Sequence, residues 1–253
     1  MAKAKIFIGT SGWHYPHWKG VFYPPDLKEG DQFKYYTEFF DTVELNNPFY
    51  RLPTRKTFQG WEEKSPTDFV FSVKMSRFIS HLKKLNVDKA TIMQFLSHAA
   101  GLKKKQGPYL VQLPPRWKIN MERLERFLKK LPPIHRYTFE FRNSSWYTDE
   151  VYELLRKYNC AFCIYELNGH LSPIVTTADF VYIRLHGPGA KYEGSYPQKT
   201  LTTWSKRAKV WQKSGLDVFI YFDNDTKGDA VLNAKSLKKI IARRRQEYQV
   251  PGT

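Results

Sequence analysis

The sequence predicts an α/β fold, a (β/α)8 TIM-type barrel forming a single domain over residues 1–253. Three observations predict it. Short stretches alternating with period two recur eight times, nearly every one followed by a segment with helical spacing. Strand–helix alternation implies parallel strands joined by right-handed crossovers, and eight units in about 250 residues is the usual size of such a barrel. Polar residues fall at the end of strand after strand, opposite the large apolar side chains. An open doubly wound sheet has no need of eight units with polar inward residues at each strand end. No linker, repeat or low-complexity stretch breaks the count.

Strand one is Lys5 to Gly9, and a loop carries Thr10 to Tyr15. Asp31 to Phe40 has helical spacing, with Phe33, Tyr36, Phe39 and Phe40 as its apolar face. Thr42 to Asn46 is strand two, placing Val43 and Leu45 on one side and Thr42, Glu44 and Asn46 on the other. Thr54 to Lys64 is a helix ended by Ser65-Pro66. In strand three, Phe69, Phe71 and Val73 point outward, leaving Val70, Ser72 and Lys74 inward. A long amphipathic helix follows from Asp88, placed to cap it, to Lys105. Strand four, Tyr109 to Leu113, is stopped by Pro114-Pro115, and the helix Met121 to Leu131 by Pro132-Pro133.

Strand five, Thr138 to Arg142, sends Phe139 and Phe141 one way and Glu140 and Arg142 the other. A helix from Asp149 to Tyr158 leads to strand six, Cys160 to Glu166. If Phe162 and Ile164 face the helices there, Tyr165 faces in and Glu166 sits at the rim. A loop with a poor helix signal follows. Strand seven, Phe180 to His186, turns Tyr182, Arg184 and His186 inward and is broken by Gly187-Pro188-Gly189. After a helix from Thr200 to Ser214, strand eight runs from Val218 to Asp223. The last helix starts near Gly228 and ends near 245–250.

The chain is 42% hydrophobic and 16% aromatic, ample for a packed core. No apolar run approaches the roughly 20 residues that span a bilayer. The start, Met1 to Lys5, carries no signal region and runs into a strand, so a cytoplasmic protein with no membrane partner is expected. The net charge of +17 would draw anions and nucleic acid, although much of it lies on outer helices such as Lys235 to Arg245. Cys160 and Cys163 are the sole cysteines and lie within a strand, which favours buried small residues over a redox or zinc pair.

Active sites of such barrels lie at the C-terminal strand ends. The inward polar residues there are Ser11, Glu44, Asn46, Lys74, Gln112, Glu140, Arg142, Arg184, His186, Asp223 and Asn224. Charges in these positions must be paired or functional, and ionisable groups with perturbed pKa values collect at functional sites. Glu44, Glu140, His186 and Asp223 are the candidates for chemistry. Ser11, Asn46, Lys74, Gln112, Arg142, Arg184, Tyr221 and Asn224 are candidates for binding, with the aromatics Trp13, Tyr50 and Trp146 and the loop residue Lys191.

Several stretches resemble the YecE-like family of domains of unknown function. They are Gly9-Thr10-Ser11-Gly12-Trp13, Trp18-Lys19-Gly20, Phe22-Tyr23-Pro24, Val43-Glu44-Leu45-Asn46 and Phe49-Tyr50. Gln112-Leu113-Pro114-Pro115, Glu140-Phe141-Arg142, Ser145-Trp146, Arg184-Leu185-His186-Gly187 and Tyr221-Phe222-Asp223-Asn224 continue the series in order. The resemblance implies a TIM-type barrel and brings no settled activity. The family often has an aspartate on strand six, where this chain has Tyr165-Glu166.

Three functional classes fit these residues. The first is an enzyme or binding protein for a small anionic ligand, phosphorylated or nucleic-acid in nature. Its phosphate would meet the loop bearing Gly187, Gly189, Lys191 and Gly194 and the start of the last helix. The second is a glycosidase-like hydrolase using Glu44 and Glu140, with Trp13, Tyr15, Trp18, Tyr50, Trp146 and Tyr147 available to stack on sugar rings or bases. The third is a non-catalytic nucleic-acid-binding barrel. No cofactor is expected. A divalent metal on Glu44, Glu140, His186 and Asp223 is opposed by the neighbouring Arg142 and Arg184. His14 and His17 lie near the mouth, while His81, His98 and His135 read as structural or surface residues. The sequence leaves the oligomeric state open.

Overall fold

A computed structural model describes residues 3–246. The expected helix end near 245–250 therefore lies mostly outside the described residues. Among the described residues there are nine strands: β1 (Ile6–Thr10), β2 (Thr42–Leu45), β3 (Val70–Lys74), β4 (Gln106–Gln112), β5 (Tyr137–Glu140), β6 (Cys160–Leu167), β7 (His170–Leu171), β8 (Phe180–Leu185) and β9 (Asp217–Phe222). All but β7 are parallel to their neighbours, in the order β1-β9-β8-β6-β5-β4-β3-β2. A parallel bridge between Ser11 and Glu44 draws the two ends together, and Gly12 N–H donates to the Glu44 carbonyl at 2.9 Å. The result is the nearly closed eight-stranded (β/α)8 barrel the alternation predicts. At the β1–β2 seam the backbones approach so closely that a Cβ on Gly9 would lie 2.3 Å from the Thr42 carbonyl oxygen.

The helices are α1 (Gln32–Phe39), α2 (Asn47–Tyr50), α3 (Arg55–Lys64), α4 (Lys89–Ala99), α5 (Met121–Leu128), α6 (Asp149–Lys157), α7 (Gln198–Lys213) and α8 (Asp229–Gln246). Local chemistry starts several of them. Thr54 accepts from Thr57 N–H at 3.2 Å, Asp88 from Thr91 N–H at 2.8 Å and Asn120 from Arg123 N–H at 2.8 Å. The helix expected from 88 to 105 is shorter. It tightens to a 3-10 turn over Ala100–Lys105, where Lys103 takes a φ of 51°. The one expected at 121–131 ends as α5 at Leu128, with Lys130 N–H bonding the Phe127 carbonyl in a tighter last turn.

No helix covers β6. The segment there is the short β6–β7 hairpin followed by a strap whose hydroxyls replace backbone partners. Ser172 Oγ accepts from Tyr165 N–H at 2.9 Å, and Thr177 Oγ1 accepts from Phe162 N–H and donates to the Cys160 carbonyl, both at 2.7 Å.

Period-two alternation separates two buried layers. Val43, Phe71, Val73, Phe139, Phe141, Phe162, Ile164, Ile183 and Ile220 pack outward against the helices. Phe7, Leu110, Ala161, Cys163, Phe180, Tyr182, Phe219 and Tyr221 fill the barrel interior. Cys160 belongs to the outer layer and Cys163 to the inner, so strand geometry alone keeps the two thiols from pairing or sharing an ion. No helix among the described residues is long and apolar enough to cross a membrane.

Candidate functional site at the barrel mouth

The inward strand ends bring their polar groups together at the C-terminal mouth of the barrel. Arg184, on β8, is fully buried and stands at the centre. Its Nε and Nη2 hold Glu44 Oε2 at 3.0 Å and Oε1 at 2.7 Å, a bidentate pair reaching across to β2. Nη1 donates to Glu140 Oε2 at 2.8 Å, and Nη2 lies 3.1 Å from Asp223 Oδ2 and 3.3 Å from Ser11 Oγ. Glu44 accepts two further bonds, from Ser11 Oγ at 2.7 Å and Tyr182 Oη at 2.6 Å. Both its oxygens are thereby committed. Glu140 Oε1 is taken by Gln112 Nε2 at 2.9 Å and by the Arg142 guanidinium.

These contacts set the proton chemistry. Burial pushes the Glu140 carboxyl up, but the guanidinium groups of Arg142 and Arg184 outweigh it and hold it well below the usual range. Asp223 is likewise held low, with Arg184 and then His186 overcoming its burial. His186 Nε2 lies 3.0 Å from Arg142 Nη2 and 3.2 Å from Arg184 Nη1. A guanidinium can only donate, so Nε2 is an acceptor and the ring proton is on Nδ1. That proton faces Asp223 Oδ2 at 2.9 Å, off the line of a good hydrogen bond. Burial, then Arg184, brings the imidazole down to about 4, so it is neutral. Glu140 and Asp223 are thus ionised acceptors, and with Glu44 they surround the guanidinium groups of Arg142 and Arg184.

Lys74, at the end of β3, is the exception. It is 8% exposed and, among the described residues, its Nζ makes no hydrogen bond or ion pair. Its contact is with the Phe49 ring, 4.3 Å from Nζ to the centroid. Burial first, and Arg184 second, bring its pKa down to about 8 against the pull of Glu140, Glu44 and Asp223. The register that pairs Leu45 with Val73 puts Asn46 level with Lys74 on the neighbouring strand. Asn46 Oδ1 is buried and unpartnered.

Two loops frame the mouth. After β8, Gly187 adopts a φ of 111° and a Cβ there would meet the Glu193 carbonyl oxygen at 2.2 Å, so the loop folds back on itself only with glycine. It brings the Tyr192 ring to 5.4 Å from that of His186, and Thr226 Oγ1 ties the Tyr192 carbonyl at 2.8 Å. On the β6 side, the Arg142 guanidinium lies 4.9 Å from the Tyr165 ring, Tyr165 and Tyr147 share a 2.9 Å hydroxyl contact, and His170 stacks on Tyr147. Sequence reasoning passed over Tyr192 and His170. An aromatic inside a glycine loop was a signal for the first; the second depends on a two-residue strand that carries no pattern.

Other expected site residues lie elsewhere. Trp146 is fully buried in the outer layer, stacked on Phe141, with its indole N–H on the Trp117 carbonyl. Trp13 packs on Phe33 and Trp61 beside α1 and α3. Tyr221 sits below the mouth, its hydroxyl 2.7 Å from Thr42 Oγ1. Tyr50 is 77% exposed on α2, its ring 5.0 Å from that of Phe49. Asn224 Nδ2 binds the Gly194 carbonyl and Asn233 Oδ1, fastening the loop rather than facing the mouth. Lys191 is exposed over the Tyr192 ring. Glu166 is half-buried at the rim, where burial raises its carboxyl. Nearby, Trp18 is core, with its indole N–H 2.7 Å from Asp225, and His17 Nε2 is 3.0 Å from the same carboxylate.

The loops expected to hold phosphate do enclose a cavity of about 270 Å³. Its walls include Gly189, Gly194, Lys227 and the start of α8, but also the carboxylates Glu193 and Asp229. Two carboxylates beside one lysine make that cavity a poor seat for an anion. Among the described residues, no group of three or more His, Cys, Asp or Glu side chains is spaced to hold a metal ion.

Fold and mouth define a single-domain parallel barrel of the TIM type, closed at its C-terminal end by a buried guanidinium–carboxylate network. The chain belongs to the family described as "Protein of unknown function DUF72", which matches residues 7–252. It is 26% identical to the UPF0759 protein YunF of Bacillus subtilis (strain 168), over 93% of this chain and 94% of that one. A solved DUF72 family protein from Thermotoga maritima MSB8 superposes with a TM-score of 0.86 at 30% identity, covering 94% of this chain and 99% of the other. A second, from Enterococcus faecalis V583, shares the fold with a TM-score of 0.78 at 19% identity, covering 94% and 95% of the two chains.

Proposed function

We propose that the protein binds a small anionic ligand, phosphorylated or nucleotide-like, at the C-terminal mouth of the barrel in the cytoplasm, as a YecE-like member of its family. The observation that carries this reading is Lys74, a nine-tenths-buried cation with no protein partner among the described residues. A buried charge left unpaired is costly unless something else meets it. Asn46 Oδ1, level with it and also unpartnered, offers an acceptor to a ligand hydroxyl. The net charge of +17 favours approach of anions to the whole molecule.

The glycosidase-like alternative draws less support. A general acid must hold a proton near neutral pH. Glu140 is held ionised by two guanidinium groups, and every oxygen of Glu44 is engaged. Both carboxylates read better as the frame that fixes Arg184. The test is calorimetric titration with inorganic phosphate and 2-hydroxyethyl phosphate. Binding to the wild type, lost at least tenfold in Lys74→Met and kept in Lys74→Arg, is the expected outcome. Equal affinity of wild type and Lys74→Met removes Lys74 from the site and this reading with it. Affinity for nucleic acid that falls steeply with salt and ignores Lys74 would point to the binding-barrel alternative instead.

A further inference from the structure

A lysine becomes a nucleophile when its amine is free of acceptors, removed from bulk water and set beside another cation. Lys74 meets all three conditions. No carboxylate or carbonyl holds its Nζ among the described residues. The Phe49 ring forms an apolar wall 4.3 Å away, and the side chain is nine-tenths buried at the C-terminal end of β3. Arg184, held by three carboxylates, is the cation whose charge acts against protonation of the Lys74 amine. We propose that Lys74 condenses with the carbonyl of a phosphorylated aldehyde held at the barrel mouth, forming an imine. The proposal rests on the reading of the mouth as an anion site.

The chemistry balances without any further reagent. The amine lone pair attacks the carbonyl carbon, a C–N bond forms, and the C=O π pair passes to oxygen, which takes a proton. The carbinolamine then expels that oxygen as water while nitrogen gives up a proton, leaving C=N. With a pKa of about 8, roughly a quarter of the amine is neutral at pH 7.5. Protonation of the imine restores the positive charge, so the anion keeps its counter-ion.

The experiment uses glycolaldehyde phosphate with cyanoborohydride, which delivers hydride to C=N and leaves a stable secondary amine for peptide mass mapping. Its matched control is 2-hydroxyethyl phosphate, the same anion with the carbonyl reduced. The expected result is labelling of the peptide containing Lys74 at least tenfold faster than any exposed lysine, slowed by excess 2-hydroxyethyl phosphate. Lys74→Arg is expected to show no label at that position. Labelling that follows surface exposure, with Lys74 among the slowest, overturns the imine. If the control anion still binds in that case, the anion site survives alone; if it does not, both ideas fall. Protection by the control anion is measured on the wild type, so the answer does not depend on the folding of a variant.

Discussion

Replacing Arg184 with methionine removes the centre of the mouth while keeping an unbranched side chain of similar reach. The structure sets the magnitude. Glu140 keeps Arg142 and Gln112 as partners, and Asp223 is partly open to solvent. Glu44 loses both its ionic bonds, at 2.7 and 3.0 Å, and is left fully buried with only the hydroxyls of Ser11 and Tyr182. Leaving one buried charge uncompensated costs about 3–5 kcal/mol. In a domain of this size each kcal/mol moves Tm by about 2–4 °C, so a fall on the order of 10 °C is expected. Urea unfolding followed by circular dichroism measures the loss directly, with the m-value showing that the folded state is otherwise the same. Adding Glu44→Gln removes the stranded charge, and the double variant is expected to recover on the order of 2 kcal/mol over Arg184→Met alone. An Arg184→Met protein within about 1 kcal/mol of wild type refutes the reasoning. So does a double variant whose two losses simply add.

Three further outcomes follow. Glu140 is held below its ordinary value of 4.5 and Asp223 below 3.8, so both stabilise the fold above those values and lose that contribution as pH falls through the lowered ones; melting from pH 6 to pH 2.5 is expected to fall steeply in wild type and less so in Arg184→Met. Cys160 and Cys163 are buried, with burial pushing the first thiol up to about 12 and the second well above its usual range, so a chromogenic disulfide reagent is expected to titrate neither in the folded protein and both in urea. Gly9→Ala would force β1 from β2 at the seam, and a loss of about 1–3 kcal/mol in urea unfolding is expected; an unchanged midpoint would mean that the seam opens freely.

The strand faces were legible because period two is a rule of backbone geometry. It placed Glu140 and Arg142 opposite Phe139 and Phe141, and left Tyr165 inward only on condition that Phe162 and Ile164 face the helices, which they do. The distances were not. Whether Glu44 faces a ligand or Arg184 is decided by which side chains meet across the barrel, and these are 140 positions apart in sequence. The same limit explains the aromatics. Trp146 and Tyr50 both follow a strand end within a few residues, yet one packs under a loop and the other faces solvent. Nothing local in the sequence separates those two fates. The lack of a helix between β6 and β8 was foreshadowed by a poor helical pattern, but the strap that stands there depends on the hydroxyls of Ser172 and Thr177, and hydroxyls are common in any loop.

The position of Arg184 also bears on how such a chain can be divided. Its carboxylate partners come from both sides of the midpoint: Glu44 from the first half, Glu140 and Asp223 from the second. A fragment ending after the fourth strand would carry Glu44 without its counter-ion, and the complementary fragment would carry Arg184 with one arm empty. During synthesis the early strands must wait, with that acidic group exposed, until β8 has left the ribosome. Half-barrels that fold alone and later join are therefore a poor route to this molecule, and its closure is an event of the whole chain.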